Sequence, residues 1–255
     1  MNPLHLVTAG AEGVDIMHHL LDSPVFLGLD LSRWGITKHV WMMWFASALL
    51  VTLMAFAARQ RGPIPRGLRG VVEPVLLFIR DDIARPNLHD AADHYLPYLW
   101  SVFFFILFCN LLGLVPGGAT ATGNLSVTAA LATISFFMIH FAGVRQNGLF
   151  GYLRAIVPPV PWWLWPLLLV VEIIGILAKP FALAVRLWAN MSAGHIVILV
   201  LLGFIFLFKN LMVVGISIAG TTALYMLEIF VGVLQAYVFT FLTAVFMGMA
   251  AHPEH

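Results

Sequence analysis

From residue 39 onward the chain alternates long apolar runs with short segments rich in proline, glycine and charge. The first run, 39–58, reads "HVWMMWFASALLVTLMAFAA", and about 20 mostly apolar residues suffice for a membrane-crossing helix. It gives way to "RQRGPIPRGLRG", where Arg59, Arg61, Arg66 and Arg69 stand among prolines and glycines, a loop composition. Residues 71–84, "VVEPVLLFIRDDIA", predict a short helix carrying Glu73, Arg80, Asp81 and Asp82. It is too short and too charged to span, and is expected to lie along the membrane surface. A second span is predicted over 95–115, ending at Pro116, and a third over 125–143 after the polar loop "PGGATATGN". Then "RQNGLFGYLRAIVPPVP" brings Arg145, Arg154 and three prolines.

Two much longer runs close the chain, 162–208 and 211–250, separated at "FKNL". As a continuous helix the first would be about 70 Å long, against a hydrocarbon core of about 30 Å. Each run is therefore either two ordinary spans or one strongly tilted helix. Periodicity alone does not choose; no turn signal interrupts "LAVRLWANMSAGHIVILVLLGF" near its charge, which favours a long helix, and Pro180 is expected to kink it. The aromatic cluster "PWWLWP" reads as an interfacial belt. Residues 1–36 form an N-terminal extramembrane segment, and 37–255 a single membrane domain.

Composition agrees with this pattern. Hydrophobic residues make up 61% and charged residues 10% of the 255 positions, with a mean hydropathy of +0.95. A soluble domain is about 45–50% apolar and about 25% charged. The fold class expected is an all-α polytopic membrane protein. A formal net charge of +1 leaves no polybasic case for nucleic acid. The single cysteine, Cys109, lies in an apolar run and cannot form an internal disulfide. Residues 1–26 lack a basic start and an uninterrupted apolar core, unlike a signal peptide. Loop charge then sets the orientation: the two arginine-bearing loops belong in the cytoplasm, with the N-terminus outside and the C-terminus inside.

Ionisable groups at membrane depth change the picture most. A central arginine costs from about 3 to about 10–17 kcal/mol, so such groups face protein or water and are candidates for function. In the first long run they are Glu172, Lys179, Arg186 and His195; in the second, Glu228, with the neutral Gln235. Glu172, Lys179 and Arg186 recur every seven residues, which at about 100° per residue returns to within about 20° of one face. Asn190, Gly175, Ala182, Ala189 and Ala193 lie near the same stripe, and small residues there let another helix approach closely. Lys179 is read as structural, snorkelling or paired with Glu172. His195, nine residues past Arg186, points to the opposite side. Glu228 and Gln235 share a face with Ser217 and Thr221. If the two runs fold back near Lys209, His195 and Glu228 reach similar depths and can touch, and such a pair passes protons near neutral pH. His18, His19, His252 and His255 lack metal-ligand spacing on one rigid element, so no metal site and no cofactor are expected.

With these residues placed, "RLWANMSAGH" and "YMLEIFVGVLQAYVFTFLTAVFMGMA" resemble the a subunit of F-type ATP synthases, as do "FCNLLGLVP…TGNLSVT" and "GITKHVWMMW". The resemblance runs from about residue 37 onward. It implies a fold of about five membrane-embedded helices plus a short surface helix, the last two long and steeply tilted as a hairpin against a rotating ring of c subunits. It implies that Arg186 is the family's essential arginine, and that Glu172, Asn190, His195, Glu228 and Gln235 line two proton half-channels. Some bacterial members carry Glu where this chain has His195 and His where it has Glu228; the exchange resembles mitochondrial-type members and supports a contact between the two. The implied partners are the c-subunit ring, the b-subunit peripheral stalk, lipid and the transported proton. The implied location is a bacterial plasma membrane, the mitochondrial inner membrane being the alternative. A self-contained transporter would need a substrate site in repeated halves, and no internal repeat is present. An intramembrane enzyme would need a Ser/His, Cys/His or HExxH arrangement, which the sequence lacks.

Overall fold

In a computed structural model the described residues are 25–26, 29–30, 38–59, 67–115, 120–156, 164–208 and 210–252. Most of the N-terminal segment 1–36 therefore lies outside them. Within it, β1 (Val25–Phe26) and β2 (Leu29–Asp30) pair antiparallel over two residues each. Everything else of length is helical: α1 (Lys38–Arg59), α2 (Leu68–Phe78), α3 (Arg85–Leu88), α4 (Ala92–Gly113), α5 (Leu125–Ile156), α6 (Trp165–Phe208) and α7 (Leu211–Ala251). Five helical stretches among the described residues are long and apolar enough to cross a membrane. The protein is an all-α polytopic membrane protein.

The ambiguity over the long runs resolves to one unbroken helix each. α6 has 44 residues and α7 has 41, so each is about 60–66 Å long at 1.5 Å per residue and cannot stand upright in a core of about 30 Å. α6 continues through Pro180, whose missing N–H leaves the carbonyl of Ile176 without its usual donor. The reversal between them is short. Asn210 caps α7 by accepting from the Met212 amide at 3.0 Å, which satisfies one of the orphan donors of a helix start.

The segment predicted as a short helix over 71–84 is helical, and its later part is buried against the bundle. α2 passes into a π-helical stretch, Ile79–Ala84, then into α3 and a 3₁₀ turn, His89–Ala91, that leads straight into α4. Ile79, Ile83, Ala84 and Leu88 are fully buried in the core, packed on α4 and α7. The later part of the segment is thus covered by protein, while Val71, Leu77 and Phe78 of α2 remain exposed. The third span also runs beyond its predicted end at 143: α5 stays helical to Ile156, interrupted at Gly148, where φ is +70°.

α6 and α7 pack along each other, α5 packs on both, and α4 packs on α7. Where lipid is as apolar as a leucine side chain, association relies on close packing and polar bridges. Such bridges occur at Tyr98 Oη–Ser135 Oγ (2.8 Å) between α4 and α5, and at Trp100 Nε1, which donates to the Leu76 carbonyl (3.1 Å). Other hydroxyls return to their own helix, as those of Thr240 and Thr243 do to the carbonyls of Ala236 and Phe239.

Candidate functional site

The site is built where α6 and α7 face each other near the end of α4. Leu183, Ala184, Leu187, Met191 and Ile198 turn the buried side of α6 toward the bundle. The polar stripe lies on the other side: Ala182, Arg186, Asn190 and Ala193 are exposed, with Gly175, Lys179 and Ala189 half-buried. Arg186 stands midway along α6 and has no hydrogen bond or ion pair among the described residues. Glu172, half-buried two helical repeats earlier, has none either.

Lys179 does not pair with Glu172. Its ammonium sits 5.3 Å above the ring centroid of Phe246 on α7, within range of a cation–π attraction. Seven residues are about 10.5 Å of helix rise, too far for an ion pair without both side chains folding along the axis, whereas the Phe246 ring offers a nearby negative face.

His195 and Glu228 make the contact that a fold near Lys209 predicts. His195 Nδ1 lies 2.7 Å from Glu228 Oε1. The carboxylate is buried, at 4% exposure, whereas the His195 side chain keeps 30%. Gly194 makes room for this approach: a Cβ there would come within 2.8 Å of Glu228 Oε1. Five residues back along α6 and seven forward along α7, Asn190 Nδ2 donates to Gln235 Oε1 at 3.0 Å. Both pairs join α6 to the face of α7 that Glu228 and Gln235 share, Asn190 reaching it from the exposed stripe of α6. Ser217, Thr221, Glu228 and Gln235 all occupy the buried face of α7, as their spacing predicts.

Three buried polar atoms on this face have no partner among the described residues: Glu228 Oε2, Gln235 Nε2 and Thr221 Oγ1. Buried polar atoms are almost always hydrogen-bonded to protein or water, so three on one face mark a face suited to exchange with an outside donor or acceptor.

The segment after α4 supplies residues that no spacing singled out. Thr120 Oγ1 lies 3.0 Å from His195 Nε2, which is also 3.2 Å from the Gly113 carbonyl. Asn110, fully buried on α4, donates to the Gly232 carbonyl of α7 at 3.0 Å and accepts from Thr122 Oγ1 at 2.6 Å. Ser192 Oγ donates to the Gly123 carbonyl at 3.2 Å. Asn110 and Thr122 lie in "FCNLLGLVP" and "TGNLSVT", the stretches that carry the family resemblance, and Asn110 also stands out as a polar residue in an apolar run; Thr120 lies between them in an ordinary-looking loop and gave no signal.

This arrangement offers a titratable pair shared between two helices, a polar face leading away from it, and one permanent cation on the opposite side of α6. Residues 40–248 match the family model described as ATP synthase A chain. The chain is 43% identical to ATP synthase subunit a 2 of Chlorobium luteolum, over all of this chain and 81% of that protein. It is 48% identical to ATP synthase subunit a of Myxococcus xanthus, over 97% of this chain and 82% of the relative. To ATP synthase subunit a of Chloroherpeton thalassium it is 42% identical, over 96% and 79%.

Proposed function

The chain belongs to the ATP synthase A chain family, and on that premise we propose that it forms the stationary proton path of a rotary ATP synthase, working against a ring of c subunits. It is a multi-pass membrane component of that complex. The observation that carries the mechanism is Arg186: a permanent charge midway along an apolar helix, exposed on a stripe of small residues, with no partner among the described residues. A charge so placed calls for a partner of opposite sign from another chain.

A ring carboxylate supplies it. While it faces lipid that carboxylate stays protonated, because burying its charge is costly. Beside Arg186 the ionised form is favoured, since an opposite charge lowers a carboxyl pKa. Each ring carboxylate therefore gives up its proton before passing Arg186 and takes one up afterwards. An outer half-channel uses His195, Glu228 and Asn190, with Gln235 bonded to Asn190; an inner one uses Glu172, on the other side of Arg186 along α6. The unpartnered atoms on α7 suit the water such a channel requires. Arg186 keeps the two channels from short-circuiting. Each 100 mV across the membrane contributes about 2.3 kcal/mol per proton. The loop charges support an N-terminus outside and a C-terminus in the cytoplasm of a bacterium, with the b-subunit stalk as a second partner.

Reconstitution tests this reading. Vesicles holding the purified chain alone should not conduct protons, and vesicles in which it is assembled with its ring should. Conduction or substrate uptake by the chain alone would identify a self-contained channel or transporter instead.

A further inference from the structure

We propose that the Thr120 hydroxyl is the group that delivers the proton to His195, and that the Gly113 carbonyl holds His195 in its loaded form. This rests on the reading of His195 and Glu228 as part of a proton path.

The two nitrogens of His195 meet different chemistry. Nδ1 faces Glu228 Oε1 at 2.7 Å, and Nε2 faces two oxygens, Thr120 Oγ1 at 3.0 Å and the Gly113 carbonyl at 3.2 Å. A carbonyl only accepts, whereas a hydroxyl donates or accepts by rotating. Nε2 therefore has a partner in either protonation state. Unloaded, Nδ1–H donates to the Glu228 carboxylate and the Nε2 lone pair accepts from Thr120 O–H. Loaded, both nitrogens carry hydrogen, Nδ1–H still donates to Glu228, and Nε2–H donates to Gly113. Loading breaks the Thr120 O–H bond as the Nε2–H bond forms. The Thr120 oxygen regains a hydrogen from a hydronium ion in the channel, which leaves as water. One proton enters, and the hydroxyl is restored.

Thr120 is held for this task rather than merely near it. Its residue is buried, and its carbonyl accepts from the Gly123 amide at 2.9 Å and lies 3.2 Å from Nδ1 of the buried His39 on α1. It presses on Gly113 so closely that a Cβ at that position would overlap the Thr120 side chain. A threonine that only completed a turn would return its hydroxyl to its own segment; this one reaches across 75 residues to α6.

The test is passive proton flow through vesicles carrying the assembled membrane sector, driven by a potassium diffusion potential and corrected for assembled complex. Thr120→Val keeps the branched shape without the hydroxyl and should slow conduction tenfold or more, whereas Thr120→Ser should stay within about twofold of wild type. The solvent deuterium isotope effect should also change in Thr120→Val and persist in Thr120→Ser. If Thr120→Val fails to assemble, Thr120→Ala is read in the same way. Wild-type flow without the hydroxyl, or equal slowing by Ser and Val, would overturn the inference. Glu228→Gln in the same vesicles separates the two levels: undiminished flow there overturns the proton path itself, and the role of Thr120 with it.

Discussion

Asn190 and Gln235 meet at 3.0 Å, a second polar contact between the helices that hold His195 and Glu228. Both contacts join α6 to the buried face of α7, Asn190 reaching it from the exposed stripe of α6. Gln235 is 1% exposed, so removing Asn190 strands a buried amide oxygen, which costs about 1–3 kcal/mol. Asn190→Leu should lower both ATP-driven proton pumping and the thermal stability of the assembled complex, and Asn190→Gln should recover part of each. Pumping by Asn190→Leu equal to wild type would remove this contact from the path.

The His195–Glu228 contact is between groups that complement each other in either order. His195→Glu and Glu228→His should each reduce passive proton flow about tenfold or more. The double exchange should recover more flow than either single change, because one imidazole again faces one carboxylate across the same gap. Equal loss in all three variants would argue that the contact does not matter to conduction.

Gly194 carries no chemistry, yet its substitution should be severe. A Cβ there would meet the Glu228 carboxylate at 2.8 Å, and overpacking of this kind costs about 1–3 kcal/mol. Gly194→Val should displace the carboxylate from His195 and reduce proton flow about as much as Glu228→Gln does. Gly203, where a Cβ meets nothing within 4 Å, is the control: Gly203→Val should conduct normally.

How much of this was legible in the sequence depends on how local the signal was. The contact between His195 and Glu228 followed from their distances to a reversal near Lys209, and the buried face of α7 from seven-residue spacing. Whether α6 and α7 were single helices did not follow, because helices apolar on nearly every face carry no amphipathic period to read. The track from α2 to α4 was hidden by Pro86 and by Arg80, Asp81 and Asp82. Pro86 falls in the first turn of α3, where a missing N–H costs little; Asp81 and Asp82 are exposed, Arg85 pairing with Asp81 at 2.9 Å, while the half-buried Arg80 turns its Nε to within 3.5 Å of Asp93 Oδ1. Thr120 was not legible at all: it reaches His195 through tertiary folding alone, and nothing in "GGATATGN" distinguishes it from a solvated loop residue.

If Arg186 forces a ring carboxylate to ionise at one place, ATP-driven proton pumping depends on its charge. In the assembled complex carrying Arg186→Ala, pumping should be abolished while the complex still assembles and passive proton leakage persists or rises. Pumping that continues in Arg186→Ala would show that this charge is not what ionises the carboxylate.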